Sequence, residues 1–108
     1  MTFEENNTLL YKAIEDYSLF TKNQKKLFLI MVKMAVDFEL AATISDLQKA
    51  SSVTRATISN AIIFFDKNGF IDLLDIRGSK FSGCRLKPTK LNEIIAHYKN
   101  KQNVLENK

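Results

Sequence analysis

A single cysteine, Cys84, leaves this chain no disulfide of its own and too few thiolates for a cysteine-rich zinc site. The single histidine, His97, stands thirteen residues further on, with no residue nearby that makes it a ligand or a base. The three glycines, Gly69, Gly78 and Gly83, fall where a helix stop and hairpin turns are needed, not in a phosphate-binding loop. Long apolar runs are missing as well. The longest, residues 27–32, is broken by Lys33 well short of the ~20 residues that span a bilayer. The opening MTFEENNTLL is acidic and polar, whereas a secretory signal is basic and then apolar. These absences predict a chain that is not an enzyme and uses no metal or cofactor. They also predict no membrane association and a reducing, cytoplasmic setting.

What is present points to one domain over residues 1–108, since 45% apolar residues in a chain of 108 suffice for one core. The net charge of +4 is unevenly placed. From Arg77 onward eight Lys/Arg face two Glu, whereas residues 1–76 hold eight Lys/Arg and ten Asp/Glu. Such an asymmetry favours a polyanionic partner.

The stretch from 43 to 69, TISDLQKASSVTRATISNAIIFFDKNG, reads as two short helices joined by a tight turn. Ser45-Asp46-Leu47-Gln48 has the form of a capping box that opens the first. Ser51-Ser52-Val53 interrupts it, because serine side chains compete for backbone hydrogen bonds. Thr54 caps the second helix, and Gly69 supplies the positive-φ stop that ends it. In that second helix Ile58, Ala61, Ile62 and Phe65 recur at i, i+3, i+4 and i+7, the stripe a helix buries. Ala56, Ser59, Asn60 and Lys67 lie opposite, with Arg55 and Thr57 flanking. Small polar residues there allow close approach to another surface. They also match DNA base edges, since Asn bonds adenine bidentately and Arg bonds guanine.

Elsewhere, Leu9, Leu10, Ala13, Ile14 and Tyr17 form the apolar face of a first helix within 2–19. Thr21-Lys22-Asn23-Gln24 is another capping box, opening a helix from 22 to about 38. Its middle is apolar on nearly every side, which predicts a central helix buried all round. Ala42-Thr43-Ile44 reads as a very short strand. Beyond Gly69, residues 70–76 are β-rich, 77–83 form a turn, and 84–87 alternate apolar and basic before Pro88. The result is a β-hairpin over 70–88 carrying Arg77, Lys80, Arg85 and Lys87 on its tip and outer face, suited to a sugar-phosphate backbone or a minor groove. Thr89 caps a last helix over 89–106 with Leu91, Ile94, Ile95 and Tyr98 in its apolar stripe and Leu105 extending it.

The expected class is therefore mainly α with a small β-hairpin (α+β), in the order helix, helix, short strand, helix, helix, strand, wing, strand, helix. That order is that of a winged helix-turn-helix. Through ISDLQKASSVTRATISNAIIFFDKNGFID and RLKPTKLNEII the chain resembles the DNA-binding lobe of the multiple-antibiotic-resistance-regulator (MarR) type. The resemblance implies that Thr54, Arg55, Ala56, Thr57, Ser59 and Asn60, on the helix over 54–68, face the major groove. It makes the 77–85 loop, with Arg77, Lys80 and Arg85, the wing. Gly78-Ser79-Lys80 stand where that family has an Asp-x-Arg pair, and the terminal helices are shorter than its dimerisation helices. The implied function is sequence-specific binding of double-stranded DNA by a homodimeric transcriptional regulator, a repressor. Its seam would be formed by Leu10, Ile14, Tyr17, Tyr98 and Leu105 of the first and last helices. A replication or transfer protein of a plasmid or phage is an alternative. A protein-interaction module using Ile63, Phe64 and Phe81 is another.

Overall fold

Local capping decides where the helices begin. Thr21 Oγ1 accepts from the Gln24 N–H at 3.2 Å, while Gln24 Oε1 accepts from the Thr21 N–H at 2.9 Å, satisfying two donors that helix geometry leaves free. Thr54 Oγ1 likewise accepts from the Thr57 N–H at 3.3 Å. The computed structural model describes the backbone of residues 3–73 and 81–106 and the side chains of residues 8–73 and 81–101. Over these the chain runs α1 (Phe3–Asp16), α2 (Lys22–Met34), β1 (Glu39–Ala41), α3 (Ile44–Ser51), α4 (Arg55–Lys67), β2 (Ile71–Leu73), β3 (Gly83–Leu86) and α5 (Pro88–Glu106). It is mainly helical with a small antiparallel sheet, as the sequence implied.

The second helix ends earlier than its apolar pattern predicts. Ala35 leaves the helix with extended backbone, and residues 36–39 close a two-residue turn by reciprocal Val36–Glu39 backbone bonds of 2.9 Å. Asp37 and Phe38 both take positive φ, 51° and 67°, the backbone hand that lets a two-residue hairpin twist correctly. A phenylalanine there is strained, and the Leu86 N–H bond to the Phe38 carbonyl at 2.7 Å helps hold it. Nor is α2 buried all round. Leu27, Phe28 and Met31 are buried, Leu29, Ile30 and Val32 are half-buried, and Met34 is 40% exposed. A domain this small has too few elements to surround one helix.

The early turn moves the first strand to Glu39–Ala41, three residues before the expected 42–44. Thr43 is then free to cap α3: its Oγ1 accepts from the Asp46 N–H at 3.2 Å, and Asp46 Oδ2 accepts from the Thr43 N–H at 3.0 Å. This pair, not Ser45 with Gln48, forms the capping box. It places a carboxylate at the positive end of the helix dipole, where a glutamine would bring no charge. The Thr43 hydrogen bonds hold the Asp46 carboxyl below its ordinary pKa.

At the other end of α3, Ser51 is buried. Its Oγ donates to the Leu47 carbonyl at 2.6 Å and accepts from the Val53 N–H at 3.1 Å, and Ser52 turns the chain with φ 59°. The tight turn between α3 and α4 is thus pinned from inside. Helix α4 closes with Gly69 at φ 77°, the Gly69 N–H on the Asp66 carbonyl at 3.2 Å and the Phe70 N–H on the Phe65 carbonyl at 2.9 Å. These are the two bonds of a Schellman stop.

Strand β3 is the middle of the sheet, with order β1-β3-β2 and both pairings antiparallel. Leu40, Ile71, Cys84 and Leu86 point into the core, while Glu39, Asp72 and Arg85 point out. Gly83 is a strand residue rather than a turn glycine. Helix α5 begins one residue before the expected Thr89 cap. Pro88 is its first residue, a position where the missing N–H is no loss.

Helices α1 and α5 pack on each other. Tyr17 meets His97 edge-on at 5.7 Å, and Lys101 Nζ lies 3.3 Å from Asp16 Oδ2. Leu10, Ile14 and Tyr17 are therefore buried in the chain's own core, and Tyr98 is half-buried. Three of the five expected seam residues are thus taken up inside the chain. Leu105 lies outside the residues whose side chains are described.

Cys84 is fully buried on β3, and burial pushes its thiol up to about 12. A raised folded-state pKa stabilises the fold fully below the ordinary thiol value. That contribution is lost as the pH climbs from about 9 toward 12, where the unfolded chain ionises first. At pH 8 we expect iodoacetamide to modify Cys84 only as fast as the chain unfolds, read by mass spectrometry along a urea series. Rapid labelling without urea would show that the β3 face is open.

Candidate nucleic-acid interface

Helix α4 has two unlike sides. Ile58, Ala61, Ile62 and Phe65 are buried, anchoring one side to α2, α3 and the start of β2. On the other, Ala56, Asn60, Ile63 and Lys67 are exposed and Ser59 is half-buried. At 3.6 residues per turn, Ala56, Ile63 and Lys67 lie almost in line along the crest, with Asn60 and Ser59 on either side. No acidic side chain sits in that row. Asp66 lies toward the flank, one residue before the end of the helix. The face is about 17 Å long and narrow enough for a major groove.

The sequence assigned this face Thr54, Arg55, Ala56, Thr57, Ser59 and Asn60, and the structure divides them. Ala56, Ser59 and Asn60 lie on the outward face. Thr54 and Thr57 are tied to each other, with the Thr54 hydroxyl on Thr57 Oγ1 at 2.8 Å, so their hydroxyls serve the helix start. Arg55 is exposed, but its Nη2 donates to Ser45 Oγ at 3.0 Å. The guanidinium is thereby drawn toward the start of α3. Ile63, which the sequence reading gave to a rival protein-binding surface, stands in the middle of the same face at 59% exposure. Its spacing of seven from Ala56 and three from Asn60 is the signal that places it there.

The wing residues divide differently. Arg77 and Lys80 lie outside the described residues. Arg85 forms an ion pair with Glu39, directly opposite it across the β1–β3 ladder, and its other neighbour is Asp72 on β2. The Glu39 hydrogen bond raises the Arg85 pKa further above its ordinary value. Lys87 Nζ is 3.1 Å from Asp72 Oδ2. The row that reads as basic along one strand is therefore matched by acids on its neighbours. Exposed pairs of this kind add little to stability, but they lower the sheet's pull on a distant phosphate.

Among the described residues no group of three or more His, Cys, Asp or Glu could hold a metal ion. A cleft of about 170 Å³ opens between α1, α2, the Asp37–Phe38 turn and α5. It is smaller than the ~300 Å³ at which sites for drug-sized ligands begin. No described helix is long and apolar enough to cross a membrane. Comparison with protein-family models, with curated proteins and with solved structures gives no match for this chain.

Proposed function

We propose that this chain is a winged helix that binds double-stranded DNA sequence-specifically, with α4 in the major groove and the segment joining β2 to β3 as its wing. One observation carries the reading: the exposed line Ala56–Asn60–Ile63–Lys67 along the crest of α4 is free of acid and built of small or uncharged side chains up to Lys67, with Asp66 on the Ser59 flank, while its opposite side is locked into the core. A helix held this firmly presents its crest as a fixed template. The sheet order supports the reading, because β1, which leads into α3, pairs with β3, and β2, which follows α4, pairs with the other side of β3.

A single thirteen-residue helix touches few base pairs, so a regulator of promoters needs a second copy on a half-site about 34 Å away. We therefore propose a homodimer that acts as a transcriptional repressor by occupying its operator. Its seam is other than the internal α1–α5 contact. Sedimentation of the complex with DNA tests this, and one 12.4 kDa chain per duplex would rule the dimer out.

Asn60→Ala is the decisive substitution. Asn60 is exposed, so the variant is expected to fold normally while losing roughly 1–3 kcal/mol on its preferred duplex and almost nothing on random DNA. Gel-shift titration at fixed salt reads both. Equal losses on the two DNAs would remove Asn60 from base reading.

A further inference from the structure

We infer that the crest of α4 selects A·T base pairs, with Ile63 and Ala56 packing on thymine methyl groups and Asn60 reading adenine. The inference rests on the DNA-binding reading and specifies its substrate. Ile63 is the largest exposed apolar side chain on α4, at the centre of a face whose other members are small or polar. In the major groove the one apolar feature is the C5-methyl of thymine, so an aliphatic side chain there gains contact only at A·T pairs. Ala56 sits two turns earlier along the same line and offers a methyl to the same kind of partner.

Asn60 lies one turn before Ile63 and makes no hydrogen bond among the described residues, leaving its carbonyl oxygen and its amino group both free. One acceptor and one donor side by side match the N6 amino group and N7 of adenine. The crest itself carries no arginine, the side chain that most often reads guanine. Arg55, the arginine of α4, is engaged by Ser45. Lys67 is the last residue of the helix, beyond the N-terminal turns that meet base edges in a helix-turn-helix, and its charge is placed for phosphate. Shape and chemistry thus favour one base-pair class, with Ile63 its specificity-determining residue.

The test selects duplexes for the full chain from a random pool, then replaces each thymine of the winner by uracil, which deletes only the methyl. The expected result is A·T pairs at the centre of each half-site and one or two positions where uracil weakens binding about fourfold, the worth of one buried methyl. Ile63→Ser, an exposed change that leaves the thermal midpoint in place, should bind thymine and uracil duplexes equally. Asn60→Ala should keep the uracil effect and lose the adenine preference at a neighbouring position. A selected core of G·C pairs, indifference to uracil at every position, or an uracil effect unchanged in Ile63→Ser each overturns this inference while the DNA-binding reading stands. Failure to select any duplex overturns both.

Discussion

Phe65→Ala is expected to lower the unfolding free energy by about 3–5 kcal/mol, the range for emptying a buried aromatic site. Phe65 is fully buried and meets four other rings, with centroids 5.0 Å away at Phe28, 5.3 Å at Phe20, 6.0 Å at Phe64 and 6.4 Å at Phe70. These pairs stand nearly edge to face, the arrangement that adds attraction beyond simple burial. The site cannot collapse easily, because its walls come from α2, the α1–α2 corner and the entry to β2, and moving any of them disturbs the others. With total stabilities of small domains near 5–15 kcal/mol, the loss is a large fraction of the whole. Ile63→Ala, two residues earlier and exposed, should change stability by less than about 0.5 kcal/mol. Urea unfolding followed by circular dichroism measures both. A Phe65→Ala loss under about 1 kcal/mol would mean that α4 is not anchored by this cluster, and a helix not anchored there could not serve as a rigid template.

Several features of this anchor are legible in the sequence because they are local. The Thr21–Gln24 box, the Thr54 cap, the Gly69 stop and the Ile58–Ala61–Ile62–Phe65 stripe depend on residues within two helical turns, and each stands where its spacing puts it. What the sequence hides is who covers what. The stripe of α1 requires a partner, but only the fold supplies α5 of the same chain, so an internal seam reads like a dimer face. Thr43–Asp46 and Ser45–Gln48 both satisfy the capping spacing, and the choice falls to where β1 ends. The Asp37–Phe38 turn carries no glycine or asparagine, so apolar periodicity runs straight across it. Its cause is the pairing of Glu39–Ala41 with a strand more than forty residues later. The charges mislead for the same reason. Arg85 and Lys87 form a basic pattern along the chain, yet Glu39 and Asp72 meet them only once three strands align.

Gly83→Ala tests that alignment directly, and its expected loss is roughly 3 kcal/mol, at the upper end for forcing volume into a packed site. A Cβ on Gly83 would stand 2.4 Å from the Leu40 carbonyl oxygen, with the Leu40 carbonyl carbon and Ala41 Cα behind it. All three are backbone atoms of β1, so no side chain can swing aside and the strands must part. Parting them weakens the Ala42 N–H bond to the Ser82 carbonyl, now 3.2 Å, and loosens the strand that sets the start of α3. Gly69 is the instructive comparison. Its nearest neighbour to an added Cβ is Lys90 Cε at 3.6 Å, an ordinary contact, so Gly69→Ala bears only the strain of positive φ, about 1–2 kcal/mol. The order of the two losses is therefore fixed by cause: steric exclusion at Gly83 exceeds backbone strain at Gly69. Denaturation midpoints give the order, and amide exchange at Leu40 and Ala42, whose N–H groups face β3, should accelerate in Gly83→Ala alone. Equal losses, or unchanged exchange in β1, would mean that β1 does not lie against β3 at this distance, and the path from sheet to α3 and on to the crest of α4 would lose its first link.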